Sequence, residues 1–236
     1  QSPEKACVGG SIPSLATTKM QKYISICSFL LFLVPVITLT ICHQIVWHYH
    51  DFHTVPFIDG KASVSMIGRG ENTIGIFRSG FFIFLSISIF FYFKISNFFS
   101  AIKIKNKLKI YSILANLFLF IYIVTLGREG NFFETSRRVS IILYIAIIYL
   151  AHFHLTNILN FLRHKRNLNF NQIYLIIFYF IIFLMTILMI IGLPWVNPLF
   201  KYPDQLKNII EWNFFLLTVL FYIPLSILFY QFKNRT

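Results

Sequence analysis

Acidic residues are scarce in this sequence. Eight Asp and Glu stand among 236 residues, and Asp, Glu, Lys and Arg together make up only 12%. A soluble domain usually carries about 25% charged residues, so there is too little polar side chain here to clothe a water-facing surface. Cysteine is nearly as rare. Cys27 and Cys42 stand 15 residues apart in one apolar run, about 22 Å by helical rise, so they cannot bridge within it. No disulfide framework follows, and the three cysteines read as small apolar fillers. A phosphate-cradling Gly loop, a Gly-x-Ser-x-Gly elbow and a His-Glu-x-x-His pair are also missing, which takes away the usual marks of nucleotide, serine-hydrolase and zinc-protease chemistry.

What is abundant is apolar. Hydrophobic residues make up 57% of the chain and aromatic residues 19%. They fall in long runs that do not alternate with polar residues, which excludes the roughly 10-residue alternating segments of a membrane barrel. Runs of about 20 apolar residues span a hydrocarbon core of about 30 Å as helices, which satisfy their own backbone hydrogen bonds. The expected fold is therefore all-α, a polytopic transmembrane helical bundle of six spans over 24–46, 74–93, 108–126, 139–159, 173–193 and 209–231. Pro35 and Pro224 lie inside spans 1 and 6 and predict kinks. Residues 1–19 lack an apolar run and predict a disordered extension foreign to the fold, with a six-helix domain over 20–236.

Orientation follows from the basic residues. Lys5, Lys19 and Lys22, then Lys94, Lys103, Lys105, Lys107 and Lys109, then Arg163, Lys165 and Arg166, then Lys233 and Arg235 all fall on one side, thirteen in number. Lys61, Arg69, Arg78, Arg128, Arg137, Arg138, Lys201 and Lys207 fall on the other, eight in number. The positive-inside rule puts the richer side, and with it both termini, in the cytoplasm. Seven of the eight acids lie on the opposite side, so mixed-charge chemistry is expected at the outer face. The charge of +13 points to no nucleic acid, because it is spread over short loops. The implied partners are membrane lipids. The compartment is an inner membrane in a bacterium, and an endomembrane or plasma membrane in a eukaryote.

The long first outer loop carries Pro56-Phe57-Ile58 and then Ser63-Val64-Ser65-Met66-Ile67-Gly68-Arg69. Arg78 follows about one turn into span 2. The plain reading is an interfacial cation snorkelling to water. The sharper one is a guanidinium fork that pairs with a carboxylate or a lipid phosphate. Glu211-Trp212 opens span 6, and Glu129, Arg137 and Arg138 lie at the same outer level. Three helix starts meeting there predict a charged cup that favours an anion. His48, His50 and His53, with Asp51, are weak metal candidates, since no second ligand set matches their spacing. No metal and no cofactor is implied. Tyr149, His152, Thr156 and Asn160 form a polar stripe in span 4, read as interhelical hydrogen bonding.

Taken together, Pro56, Ile58, Ser63, Ser65, Gly68, Phe77-Arg78, Glu129 and Glu211-Trp212 give a pattern that resembles the FRAG/DRAM/SFK family of six-span membrane proteins over about residues 20–232. The nearest branch is the one of post-GPI-attachment lipid-remodelling factors. That branch carries a His at the start of span 4, where this chain has Arg137 and Arg138. The resemblance implies lipid handling: a lipid headgroup engaged in an outer-face pocket, with the 63–69 segment as a lid, in lipid remodelling or distribution. A lipid acyl-transferase or hydrolase using Glu129 or Glu211 as base is the alternative, and a small-molecule transporter is a further one.

Overall fold

The computed structural model describes residues 15–50, 54–166, 170–192 and 203–233, and among them there are only helices and connections. Helices α1 (Leu15–His50), α4 (Ile74–Ala101), α5 (Leu108–Thr125), α6 (Asn131–Arg166) and α7 (Gln172–Ile191) each supply one apolar span. The sixth span is shared by α8 (Pro203–Leu220) and α9 (Tyr222–Lys233). Two short helices, α2 (Pro56–Asp59) and α3 (Val64–Gly68), lie between α1 and α4. Six helices are long and apolar enough to cross a membrane, and the chain is a multi-pass membrane protein built as an all-helical bundle.

The spans pack in chain order as a closed ring. α1 lies against α4, α4 against α5, α5 against α6, α6 against α7, α7 against α8 and α9, and both of these return to α1. Aromatic side chains turned inward fill the ring, with Phe77, Phe84, Phe91, Tyr92, Phe178, Phe221 and Tyr222 almost fully buried. Outward faces stay apolar as well. Ile176, Phe180 and Phe183 on α7 are each more than half exposed, as are Ile113 on α5 and Ile83 on α4. Apolar cover this extensive suits acyl chains and not water.

Several helices outrun the hydropathy pattern. α6 starts at Asn131, eight residues before the expected span, because its first turns are polar yet carry Glu134 near the N-terminus and a Glu134–Arg138 pair at i,i+4. α8 starts at Pro203 with Asp204 in its first turn, a favoured N-terminal arrangement, so Glu211 sits two turns inside the helix and does not open it. Pro224 acts four residues ahead of itself. Its ring cannot accommodate the carbonyl of Leu220, and α8 ends at that residue. Pro35, by contrast, lies inside an unbroken α1. Of the extension expected over 1–19, residues 1–14 lie outside the described residues, while 15–19 form the beginning of α1.

Polar side chains join the spans where the pattern leads one to look. Tyr149 and Thr186 link α6 to α7 through their hydroxyls at 2.8 Å, Ser25 donates to the Ser226 carbonyl at 2.9 Å, and the Tyr92 and Tyr222 hydroxyls meet at 3.2 Å. Two members break the expectation of the stripe: the Thr156 hydroxyl is buried with no partner among the described residues, and so is His152. Its ring stacks on Phe221 with centroids 4.0 Å apart, and neither nitrogen has a hydrogen-bond partner among the described residues.

Candidate functional site

Residues 54–73 fold into a small lid over one end of the ring. Asp59 knots its first part together. The carboxylate accepts from the Thr54 hydroxyl at 2.6 Å, the Val55 N–H at 2.8 Å and the Lys61 N–H at 3.0 Å. Gly60 then turns the chain at φ 60°, a left-handed conformation that costs other residues a Cβ clash. Ser63 caps α3, its hydroxyl accepting from the Met66 N–H at 3.0 Å and meeting the Ser65 hydroxyl at 2.9 Å. Thr73 closes the lid by donating to the Ile67 carbonyl at 2.6 Å.

Asp59 gives the lid an acid sensitivity. Partial desolvation pushes its pKa up, but the hydrogen bonds from Thr54, Lys61 and Val55 outweigh this and hold it below the ordinary carboxylate value. A depressed folded-state pKa stabilises above the unfolded value and is lost as pH falls through the folded one. Limited proteolysis of the lid is therefore expected to be flat from neutral pH down to the ordinary carboxylate range, and to rise below it. Asp59→Asn is expected to show raised cleavage at every pH, with that acid-dependent rise gone.

The lid docks on α8 through side chains that reach up to its backbone. Asn208 donates to the Gly60 carbonyl at 2.8 Å, Trp212 Nε1 to the Ala62 carbonyl at 2.9 Å, and Asn213 to the Phe57 carbonyl at 3.0 Å. The Phe57 ring meets the Trp212 indole edge-on at 5.3 Å. Glu211 continues the row, its carboxylate close to the backbone N–H groups of Ser65 and Val64. Asn208, Glu211 and Trp212 stand at i, i+3 and i+4, on one helix face. That spacing is a sequence signal for the two missed asparagines' role only at Asn208; Asn213 carries no such mark.

Below the lid lies a narrow cavity of about 40 Å³ between α4, α5, α6 and α8. Phe77, Phe81, Leu119, Ile141 and Phe214 give it apolar walls, and Val64 of the lid covers it. Glu211 lines it, and so does Tyr122, whose hydroxyl is buried with no hydrogen-bond partner among the described residues. Sequence reasoning missed Tyr122, which nothing in its neighbours separates from the other eleven tyrosines. A second, wider groove of about 330 Å³ runs between α1, α2 and α8, lined by His43, Trp47, Phe57 and Trp212 among others.

The arginines meet at the end of α5. The last carbonyls of a helix have no partner within it, and two guanidinium groups supply one. Arg78 donates to the Leu126 carbonyl. Arg137 donates to those of Thr125 at 3.0 Å and Arg128 at 2.7 Å. Cations at a helix C-terminus also suit its dipole. The pairing of Arg78 with Glu211 is not formed, and the Arg78 Nε is buried without a partner among the described residues. Arg69 and Arg137 lie within electrostatic range of the Tyr122 hydroxyl, as Glu211 does. The sequence candidates thus divide. Glu211, Trp212, Ser63 and Ser65 join the lid latch, and Arg78 and Arg137 join the α5 cap. Arg138 is spent on an exposed pair with Glu134, and Glu129 is exposed in the connection before α6.

No group of three metal-binding side chains occurs among the described residues. His48 is exposed on α1, His50 ends that helix, and His53 and Asp51 lie outside the described residues. His43, not singled out by the sequence, reaches the Thr54 carbonyl at 3.2 Å and so ties α1 to the lid. Comparison with protein-family models, with curated proteins and with solved structures returned no match.

Proposed function

We propose that this protein engages a membrane lipid headgroup at the lid end of the bundle, on the non-cytoplasmic side, and takes part in lipid remodelling or distribution. The observation that carries the reading is the contrast at that end. A cavity with mostly apolar walls carries one carboxylate, Glu211, while Arg78, whose Nε has no partner among the described residues, and Arg137 stand at the end of α5. A guanidinium with free N–H groups at the end of a span is suited to a phosphate, and the apolar faces nearby suit the glycerol and chain region. Membership of the FRAG/DRAM/SFK family, proposed on the motifs above, agrees with lipid handling.

The acyl-transferase or hydrolase alternative needs a nucleophile against the base. Ser65 brings its backbone N–H close to Glu211, and no hydroxyl or thiol of the described residues donates to that carboxylate. The transporter alternative meets a ring whose axis beyond the cavity is packed with Phe91, Tyr92, Phe221, Tyr222 and His152. Both observations favour lipid engagement.

The test is phospholipid retained per protein after purification in a mild detergent. Arg78→Lys keeps the charge but loses the fork, so it is expected to lower retained phospholipid severalfold with thermal stability little changed. Arg78→Ala and Glu211→Ala share no partner, and their stability costs are expected to add within about 0.5 kcal/mol. Retention unchanged in Arg78→Lys and Arg78→Ala would remove the headgroup reading.

A further inference from the structure

The cavity has mostly apolar walls with a few polar side chains set among them. Four of its lining side chains, Tyr122, Tyr144, Glu211 and Thr218, carry oxygen; the Thr218 hydroxyl is spent on the Phe214 carbonyl at 2.9 Å, and the rest of the wall is Phe, Leu, Ile and Val. Glu211 lies close to two backbone N–H groups of the lid, those of Val64 and Ser65. A carboxylate has about four lone-pair sites, so acceptor capacity is left over on the cavity side. The Tyr122 ring is only 3% exposed, and its hydroxyl is unpartnered among the described residues. Buried hydroxyls are ordinarily hydrogen-bonded, because leaving one unpaired costs about 1–3 kcal/mol. A carboxylate and an unpartnered phenol lining one cavity with mostly apolar walls have the form of a small polar subsite.

The ionised form of that subsite is one-sided. An ionised carboxylate only accepts, so in that form phosphate oxygens are turned away from Glu211 and toward the arginines at the end of α5. What fits between Glu211 and Tyr122 is a group that donates N–H or O–H. Size narrows it further. By the measure that gives this cavity about 40 Å³, one water needs about 10–15 Å³. A primary ammonium or a hydroxymethyl group fits such a space, and a trimethylammonium does not.

Resting on the lipid reading above, we propose that the Glu211–Tyr122 cavity selects lipids whose headgroup ends in a hydrogen-bond donor, a primary ammonium or a hydroxyl. Arg78 and Arg137 then face the phosphate side of the same headgroup. The donor enters under Val64 of the lid, and Glu211 serves both as the lid's anchor and as the donor's acceptor.

The experiment reconstitutes the full chain in nanodiscs of equal phosphatidylcholine, phosphatidylethanolamine and phosphatidylglycerol. The protein is then extracted in a mild detergent and its retained lipids are quantified by mass spectrometry. Phosphatidylethanolamine, phosphatidylglycerol or both are expected to exceed phosphatidylcholine about tenfold, the ratio that one charge-assisted hydrogen bond supports. Enrichment of the first alone identifies an ammonium as the donor, and enrichment of both identifies any N–H or O–H. Tyr122→Phe removes only an unpartnered hydroxyl, so it is expected to fold normally and to lower the enrichment about threefold or more. Glu211→Gln is expected to abolish the preference for the ammonium headgroup. Retained lipid that matches the disc composition overturns the selectivity while leaving lipid engagement standing, and so does enrichment unchanged in Tyr122→Phe. No retained lipid above an unrelated six-span protein overturns both.

Discussion

Trp212→Ala is expected to cost about 3–5 kcal/mol and to release the lid. The indole is 4% exposed and is held on both sides. Its Nε1 donates to the Ala62 carbonyl at 2.9 Å, and its ring takes the edge of Phe57 at 5.3 Å. Truncation leaves a large void and an unpaired carbonyl together, the two mechanisms behind the largest core losses. Trp212→Phe separates them. It keeps most of the volume and loses the hydrogen bond, for about 1 kcal/mol. Thermal unfolding in detergent measures the total. Tryptic cleavage after Lys61 and Arg69 measures the lid alone, and it should rise steeply in the alanine variant while the six spans stay intact. Equal stability of Trp212→Ala and wild type would mean that the lid does not depend on α8.

Gly60→Val is expected to be the second severe change, and it acts through backbone alone. Gly60 stands at φ 60°, where a side chain costs about 1–2 kcal/mol. Its Cα also faces α8 so closely that a Cβ would collide with the backbone of Gln205. Backbone cannot swing aside as a flexible side chain can, so overpacking adds about 1–3 kcal/mol more. Gly60→Asn distinguishes the two causes. Asparagine tolerates the left-handed conformation, so a loss that persists in Gly60→Asn is due to the contact with α8. Lid proteolysis that stays at the wild-type level in both variants would contradict the docking.

How much of this was legible beforehand differs by level. The spans were readable because bilayer thickness fixes the length of an apolar run, whatever its neighbours are. Helix ends were not, since Asn131 to Arg138 and Pro203 to Ile209 form helix by local capping and charge pairing, beyond the reach of hydropathy. Within the site, Glu211, Trp212 and Arg78 could be picked out because polar groups near the end of an apolar span are costly unless they have partners. Their partners could not. The sequence suggested charge seeking charge, yet Arg78 meets the Leu126 carbonyl and Glu211 lies close to the amides of Val64 and Ser65. Unsatisfied backbone at the ends of α5 and α3 is invisible until those ends are placed. Tyr122 was hidden for a related reason, since its distinction is only to be without a partner. Asn208 and Asn213 read as ordinary helix-start polar residues, and their part in holding the lid depends on a carbonyl about 150 residues away in the chain.

In the proposed function a lipid headgroup sits under the lid, between Glu211 and the arginines at the end of α5. Photo-crosslinking with a phospholipid that carries its reactive group at the headgroup tests this most directly, with labelled peptides mapped by mass spectrometry. Label is expected to concentrate in the lid around Val64 to Arg69, at the end of α5 with the start of α6, and around Glu211. It should fall severalfold in Arg78→Ala combined with Arg137→Ala. Label scattered evenly around the outward faces of all six spans, or unchanged by the double substitution, would contradict the account.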